Sequence, residues 1–352
     1  MSGGASREAG MERWLWEHAA DWLDGKPGSS TLDALAATTE EDVPPDLLVY
    51  LGPALVFGGS GWPARAGLRI SAAEIAHERA LRASALGASR LLAGAQIPHA
   101  FFKGADFRYR LYPEPHRRTS CDLDLLLPFD ARSRAVEVLR EGGASFREKP
   151  GAFLSGAYHE LGLDLGGTAL DLHTSLLQRG RTAFETESVI AGAESASVEG
   201  GRLPVPSRED SLALALIHIG AHEGGAEFVD FRHGLDLALA FTRWRDLDWP
   251  RIASRARGWR CRRLAGAAIW TWRSALGDRI PQELLDALDP GFLQRRAAVR
   301  TRKVLAFRKV APSGRLRLSQ LGRKFLFAEG LPERLWLLRE LVRRARSRRG
   351  SS

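Results

Sequence analysis

Hydrophobic and polar positions change their period along the chain, and this change divides the sequence into three parts. In the first part, apolar residues recur at helical spacing over 11–24 and 71–96, and Ser71 and Glu74 are spaced as a capping box at a helix start. In the middle part, short apolar runs alternate with Gly and Pro. The helical period then returns. The sequence therefore predicts a helical region over 1–95, an α/β core over 96–206 and a helical region with a basic tail over 207–352.

Short strands and helices alternate in the middle part. The predicted elements are a strand over 97–103, a helix over 104–112, a strand over 121–127, a helix over 130–141 and strands over 158–165 and 168–172. The last two strands flank Gly166 and Gly167, a pair typical of a tight primed turn in a β-hairpin. We therefore expect an α+β fold, in which a small mixed sheet is flanked by N-terminal and C-terminal helical regions.

The last part is expected to be helical almost to its end. The predicted helices cover 210–223, 228–243, 249–276 with interruptions, 281–288 and 334–349. No run approaches the roughly 18 apolar residues of a membrane span, and residues 1–10 are small and polar without an apolar signal region. The chain has only two cysteines, Cys121 and Cys261, which excludes a disulfide framework. These features predict a cytoplasmic protein without a transmembrane segment.

The positive charge is concentrated at the C-terminal end. The chain has a net charge of +9, whereas the segment 295–352 has 18 Lys and Arg against Glu329, Glu333 and Glu340, a charge of +15 that leaves −6 elsewhere. Such a segment is consistent with contact to nucleic acid or an acidic acceptor, with an anionic membrane surface, or with a solvated Arg-rich helix. Nucleic acid is therefore a candidate partner through this tail.

Three acidic residues carry the candidate chemistry. Asp122 and Asp124 lie two apart on a predicted strand, so both carboxylates emerge on one face with their α-carbons about 7 Å apart. Asp171 is near the end of the second hairpin strand, where the same alternation directs it away from its apolar neighbours. Hard oxygen ligands suit Mg²⁺. Three strand carboxylates can hold two Mg²⁺ ions about 4 Å apart, an arrangement used in phosphoryl displacement.

Positively charged groups flank these acids in sequence. Lys103 and Gly104 stand where a predicted strand gives way to a helix, and the free amides of a helix start favour phosphate. Arg117 and Arg118 precede the acidic pair and offer rigid donors to triphosphate oxygens. The order of these elements is that of a phosphate-handling site.

The run KGADFRYRLYPEPHRRTSCDLDLLLPFD resembles the uncharacterised nucleotidyltransferases of the polymerase-beta superfamily known as nucleotidyltransferase family 5. The matching positions are Lys103-Gly104, Tyr112-Pro113, Arg118, the pair Asp122 and Asp124, and Asp171 with His173. The resemblance covers roughly 70–290. Two positions depart from the wider pattern: many superfamily members carry Gly-Ser at Lys103-Gly104, and Cys121 stands where this family usually has Ser.

The resemblance implies transfer of an NMP from an NTP to a hydroxyl group, with Mg²⁺ bound by Asp122, Asp124 and Asp171. Nucleotide binding would fall to a second set of residues, namely Lys103, Gly104, Arg117, Arg118 and His173. His173 orients a carboxylate or the acceptor, or is simply a hydrogen-bonded strand histidine. The acceptor is expected to be a small molecule or a peptide, as in natural-product biosynthesis. Two other functions stay open: a catalytically silent NTP-binding or scaffold protein, and a toxin-like enzyme that modifies transfer RNA.

Overall fold

The computed structural model describes most of the chain after residue 61. The described residues are 62–112, 114–178, 180–223, 231–302, 325–331 and 333–339. The chain divides into two compact units, Met1–Ala80 with Tyr112–Thr119 and Leu81–Leu111 with Ser120–Ser352. The predicted helix over 11–24 lies outside the described residues. The division at 95 and 206 stays a prediction.

A five-stranded mixed sheet forms the centre of the larger unit. Its strands are β1 Ala100–Phe102, β2 Asp122–Leu126, β3 Ser145–Phe146, β4 Glu160–Leu165 and β5 Thr168–His173. They lie in the order β1-β2-β5-β4-β3. The pair β2 and β5 is parallel, whereas the other neighbours are antiparallel. A separate hairpin pairs β6 Glu194–Val198 with β7 Gly201–Val205. The predicted mixed sheet and α+β class are confirmed, although β3 and the β6–β7 hairpin had not been predicted.

Helices account for most of the remaining described residues. In chain order they are α1 Trp62–Gly94, α2 Gly104–Leu111, α3 Arg132–Glu141, α4 Gly151–Leu154, α5 Thr186–Ala191, α6 Arg208–Glu223, α7 Phe231–Arg243, α8 Trp249–Gly258, α9 Arg262–Leu276, α10 Gln282–Ala287 and α11 Phe292–Arg302. Short 3₁₀ helices occupy Pro115–Arg117, Phe129–Ala131 and Gly277–Arg279. Residues 333–339 are also helical and overlap the start of the last predicted helix, 334–349. The described helices are too short or too polar to cross a membrane.

Two predicted boundaries are wrong. Helix α1 begins at Trp62 rather than at Ser71, so Ser71 lies within the helix and does not cap it. Proline fits the first turn of a helix and an interior Gly costs only about 1 kcal/mol, so neither Pro63 nor Gly67 stops α1. Strand β1 begins three residues later than predicted, because the amide of Ile97 donates to Leu92 O at the end of α1 (2.9 Å) and Pro98 has no amide to give.

The hairpin of β4 and β5 has the predicted turn. Leu165 pairs with Thr168, and the two residues between them, Gly166 and Gly167, have φ values of 62° and 81°. Two consecutive positive φ angles define a primed turn, which only glycine adopts at little cost. The prediction is confirmed, and the turn fixes the register that places Asp171 on β5.

One face of the sheet forms the hydrophobic core. Its side chains alternate with those of the opposite face and come from four strands, namely Phe101, Leu123, Leu125, Leu161, Leu163, Leu165, Leu170 and Leu172. The second half of α1 and helix α3 cover this face with Leu81, Ala85, Ala88, Leu92, Ala135, Val136 and Leu139. Because side chains alternate along a strand, the residues between these core positions project to the opposite face. The core therefore determines which side chains reach the polar face.

The C-terminal helices pack closely around α6 and α9. A β-carbon at Gly220 of α6 would lie 1.9 Å from Leu264 O, so the two helices approach to within backbone contact. Only glycine permits this separation. The helical character predicted for residues after 206 is confirmed over the described part.

Candidate functional site

The three predicted aspartates share the polar face of the sheet. In the parallel pairing of β2 and β5, Asp124 stands opposite Asp171 and Asp122 stands opposite Ala169. Directly paired residues project to the same side of a sheet, and residues two apart on one strand do so as well. All three carboxylates therefore emerge on the side opposite the leucine core.

Asp124 is the charge centre of this face. Its Oδ1 accepts a hydrogen bond from Lys103 Nζ at 2.7 Å and lies 2.9 Å from His173 Nε2. Asp124 and His173 are both buried. Burial by itself opposes ionisation, but the charge of Lys103 and the hydrogen bond of His173 outweigh it and hold the pKa of Asp124 below its usual range. Asp124 is therefore an ionised, compensated carboxylate.

Lys103 occupies a backbone conformation that is unusual for its type. Its φ is 50°, in the left-handed region, at the single position between the end of β1 and the start of α2. A residue with a β-carbon pays a conformational cost there, and such strain is concentrated at functional sites. The conformation places the ammonium group on Asp124 and 4.8 Å from the ring centre of Phe102. Gly104, the first residue of α2, is buried beside it.

Asp171 differs from Asp124 in its electrostatic environment. Burial raises its pKa, the negative charges of Asp124 and Asp122 raise it further, and the result is a pKa of about 6. Arg147 Nη1 lies 3.5 Å from Asp171 Oδ1, but half of the Arg147 side chain is exposed, so it compensates little. Gly162 stands opposite on β4, where a β-carbon would lie 3.3 Å from Asp171 Oδ1. Asp171 is therefore a crowded acid held among like charges.

Two polar residues near the three aspartates, Asp164 and Cys121, are not part of the candidate site. Asp164 on β4 accepts a hydrogen bond from the Gly167 amide at 3.0 Å and so stabilises the turn. Cys121 is adjacent to Asp122, and burial together with that negative charge raises the pKa of its thiol. A thiol that resists ionisation is a poor nucleophile, although Cys121 is exposed rather than packed in the core.

Arg117 and Arg118 belong to the other compact unit. Arg117 ends the 3₁₀ helix Pro115–Arg117 and forms an ion pair with Glu114. Arg118 follows it and is buried, with 7% of its surface exposed. Their predicted contribution to nucleotide binding stays a prediction.

A histidine pair on this face had not been predicted as a site. Among the described residues, one group of acidic and histidine side chains has ligand atoms that all lie within 4.8 Å of one another, and it consists of His159, Glu160 and His173. The three aspartates are not so close together. Burial, followed by the nearby His173 and Lys103 side chains, lowers the pKa of His159 to about 3, so its imidazole is neutral. The sequence gives no signal for this group except that His159 lies fourteen positions before His173.

The donor set of the three aspartates fits Mg²⁺. All its atoms are carboxylate oxygens, the ligands that hard divalent cations prefer. Both described bonds of Asp124 go to Oδ1, which leaves Oδ2 for a cation. Burial and then the charges of Asp124 and Asp122 raise the pKa of Asp171, and a divalent ion would offset both effects. The residues that would hold Mg²⁺ are Asp122, Asp124 and Asp171.

Comparison with known proteins identifies a family that the chain matches. A search of curated proteins finds no match. The family described as uncharacterised nucleotidyltransferase matches residues 64–277, which is more than half of the chain and includes β1 to β5, the three aspartates, Lys103 and helices α6 to α9. On this match the chain belongs to the family of uncharacterised nucleotidyltransferases.

Proposed function

We propose that the protein transfers an NMP unit from an NTP, ATP among the candidates, to a hydroxyl group of an acceptor in a Mg²⁺-dependent reaction. The observation that carries the proposal is the registered pair Asp124 and Asp171 on adjacent parallel strands, with Asp122 on the same face. Membership of the nucleotidyltransferase family supports the reaction class.

The chain's own residues divide the work of this reaction. Lys103 brings a positive charge to the start of α2, where the free amides of Gly104 and its successors favour phosphate oxygens. In the proposal these groups bind the triphosphate, while the contribution of Arg117 and Arg118 stays a prediction. His173 holds Asp124 in place through the contact to its Oδ1. One of the three carboxylates would assist the loss of the proton from the attacking hydroxyl.

Magnesium would bind to Asp122, Asp124 and Asp171, as two ions in the proposal, and would neutralise charge on the phosphate and on the attacking and leaving oxygens. Positioning and charge compensation then supply most of the rate enhancement. This explains why a fold would retain three like charges on one sheet face.

A catalytically silent NTP-binding protein is the main alternative. A scaffold has no need of repelling carboxylates, because burying like charges costs stability without a return in binding. The raised pKa of Asp171 therefore favours an enzyme. A small-molecule or peptide acceptor is the preferred substrate class by family analogy, with transfer RNA as a further candidate, and the basic tail lies largely outside the described residues. The cytoplasmic location stays a prediction.

The test is label transfer with the full-length protein. The protein is incubated with Mg²⁺, each α-³²P-labelled NTP in turn, and cell extract separated into small-molecule, peptide and RNA fractions. We expect label from the α position, but not from the γ position, to enter one fraction with release of pyrophosphate. The Asp122→Asn variant should lose activity by on the order of 10²–10³-fold, as expected when a preorganised charge is removed.

Asp130→Asn is the matched control, because Asp130 is exposed and lies away from the sheet face. It should retain full activity, and circular dichroism should show that both variants are folded. Full turnover in Asp122→Asn would refute the assignment of the site. Nucleotide binding without pyrophosphate release in any fraction would favour the silent protein.

A further inference from the structure

We infer that His159, Glu160 and His173 form a second cation site, separate from the three aspartates, that takes a borderline divalent ion of the Zn²⁺ class. The ligand atoms of these three residues all lie within 4.8 Å of one another. His173 Nδ1 is 3.9 Å from Glu160 Oε2. The ring centres of His159 and His173 are 6.3 Å apart. Two imidazoles and one carboxylate thus converge at the end of the β4–β5 ladder.

The strongest sign of a ligand is a pair of buried ring nitrogens without partners. His173 Nδ1 and His159 Nδ1 are both buried and make no hydrogen bond within the described part of the chain. His173 as a whole is only 3% exposed. Burying a polar atom without a partner costs about 1–3 kcal/mol, so such atoms are rare unless something binds them. Of the two, His173 Nδ1 lies 3.9 Å from Glu160 Oε2.

The other side of His173 determines what its Nδ1 can do. Nε2 is 2.9 Å from Asp124 Oδ1, and a carboxylate oxygen accepts hydrogen bonds, so in the neutral imidazole that metal binding requires the proton is on Nε2. A lone pair then remains on Nδ1 and faces the Glu160 carboxylate, which is also an acceptor. Two acceptors 3.9 Å apart are too distant for a hydrogen bond and repel each other. A cation between them satisfies both.

The same arrangement is common around protein-bound metals. A metal-ligating histidine almost always donates its second ring N–H to a carboxylate or carbonyl group, which fixes its tautomer and orientation. Asp124 stands in that position relative to His173. An ion at Nδ1 would therefore also fix the contact that His173 makes with Asp124. This site and the aspartate site would share His173 as a connecting residue, while using different ligands.

The ligand types select the cation. Imidazole nitrogen suits Zn²⁺ and its neighbours, whereas Mg²⁺ prefers oxygen ligands alone. Ligand atoms around tetrahedral zinc are roughly 3.4 Å apart, given bonds of about 2.0–2.2 Å, so the three side chains must close by up to about 1 Å on binding. Glu160 is about one-third exposed, which gives the ion a route in and leaves a position for water.

The test is direct metal binding by the full-length protein, stripped with a chelator and with any affinity tag removed. Zinc is titrated calorimetrically, and cobalt, which takes similar sites, is followed by its visible absorbance. We expect one high-affinity ion per chain without added nucleotide. His159→Gln and Glu160→Gln should each weaken binding by more than about tenfold, since the loss of even an outer-shell partner costs 10–100-fold.

Two controls separate this site from others. The exposed His77 on α1 is a matched histidine, and His77→Gln should bind zinc as the wild type does. Asp122→Asn removes an aspartate of the proposed magnesium site and should also leave zinc binding unchanged. The inference is overturned if the wild type binds no zinc, if folded His159→Gln and Glu160→Gln bind it normally, or if Asp122→Asn abolishes it. Because the readout needs no turnover, it stands apart from the test of nucleotidyl transfer.

Discussion

The two faces of the central sheet are built from the same strands, but burial has opposite effects on their stability. Leu125 on one face and Asp124 on the other are consecutive residues, and both are buried. The leucine lies among apolar side chains of α1, α3 and the neighbouring strands, where burial itself is stabilising. The aspartate lies beside two further carboxylates, where burial alone is destabilising. The apolar face supports the fold, whereas the polar face concentrates charge that folding alone would avoid.

The polar face is itself divided into a compensated and an uncompensated half. Asp124 has Lys103 and His173 as partners, and its pKa is lowered. Asp171 has mainly like charges as neighbours, and its pKa is raised to about 6. Asp124 is stabilised by groups within the protein, whereas the negative charge of Asp171 is less well compensated. This difference is what we expect at a site that binds a cation.

The largest expected effect is on the apolar face. Leu125→Ala should lower the free energy of unfolding by about 2–5 kcal/mol, because it removes buried methyl groups and leaves a cavity in the sheet core. Chemical denaturation measures the change, with Leu293→Ala as a control, since Leu293 is 63% exposed. A loss below about 1 kcal/mol would contradict the assignment of this face to the core.

The alternation that separates the faces could be predicted from the sequence, because side chains in a strand have a period of two. Asp122 and Asp124 were placed on one face in this way. The parallel pairing of β2 with β5 could not be predicted from local pattern, because the partner is separated by β3, β4 and two helices. The family resemblance matched Asp171 together with His173, but it did not show which strand pairs with β2.

Other features were missed for physical reasons. Strand β3 has two residues, too few to show a period, and it forms only through pairing with β4. The start of α1 was misplaced because Ser71 and Glu74 were interpreted as a capping box, whereas both lie inside a helix that begins at Trp62. The histidine group depends on a cross-strand pair, Glu160 opposite His173, which only the hairpin register creates.

The next effect should come from the compensated half of the polar face. Lys103→Met should lower the free energy of unfolding by about 2–3 kcal/mol, because Asp124 then keeps its buried charge without its main counter-ion. Urea unfolding measures the loss, and the exposed Lys149→Met serves as the matched control. Equal stability of the two variants would show that the ion pair contributes nothing to the fold.

The smallest effect should have the opposite sign. Asp171→Asn should raise the free energy of unfolding at about pH 8 by about 1–2 kcal/mol, after allowance for partial solvent screening, since the isosteric amide avoids repulsion from Asp122 and Asp124. Because its folded pKa is raised, the stability that protonated Asp171 contributes is complete below about pH 4 and is lost as the pH rises through about 6.

Urea unfolding at about pH 4 and about pH 8, with a chelator present, measures this difference. The variant should gain over the wild type only at the higher pH, and Asp130→Asn should show no such gain. A variant that is less stable than the wild type at both pH values would mean that Asp171 belongs to the fold rather than to a binding site.

The central claim is that Asp122, Asp124 and Asp171 share divalent ions beneath the phosphates of an NTP. Anomalous diffraction from crystals grown with Mn²⁺, as a substitute for Mg²⁺, and a non-hydrolysable NTP tests it most directly. We predict anomalous peaks about 2.2 Å from oxygens of all three carboxylates, with the triphosphate at the start of α2. A bound nucleotide whose phosphates and manganese lie away from these carboxylates would contradict the claim.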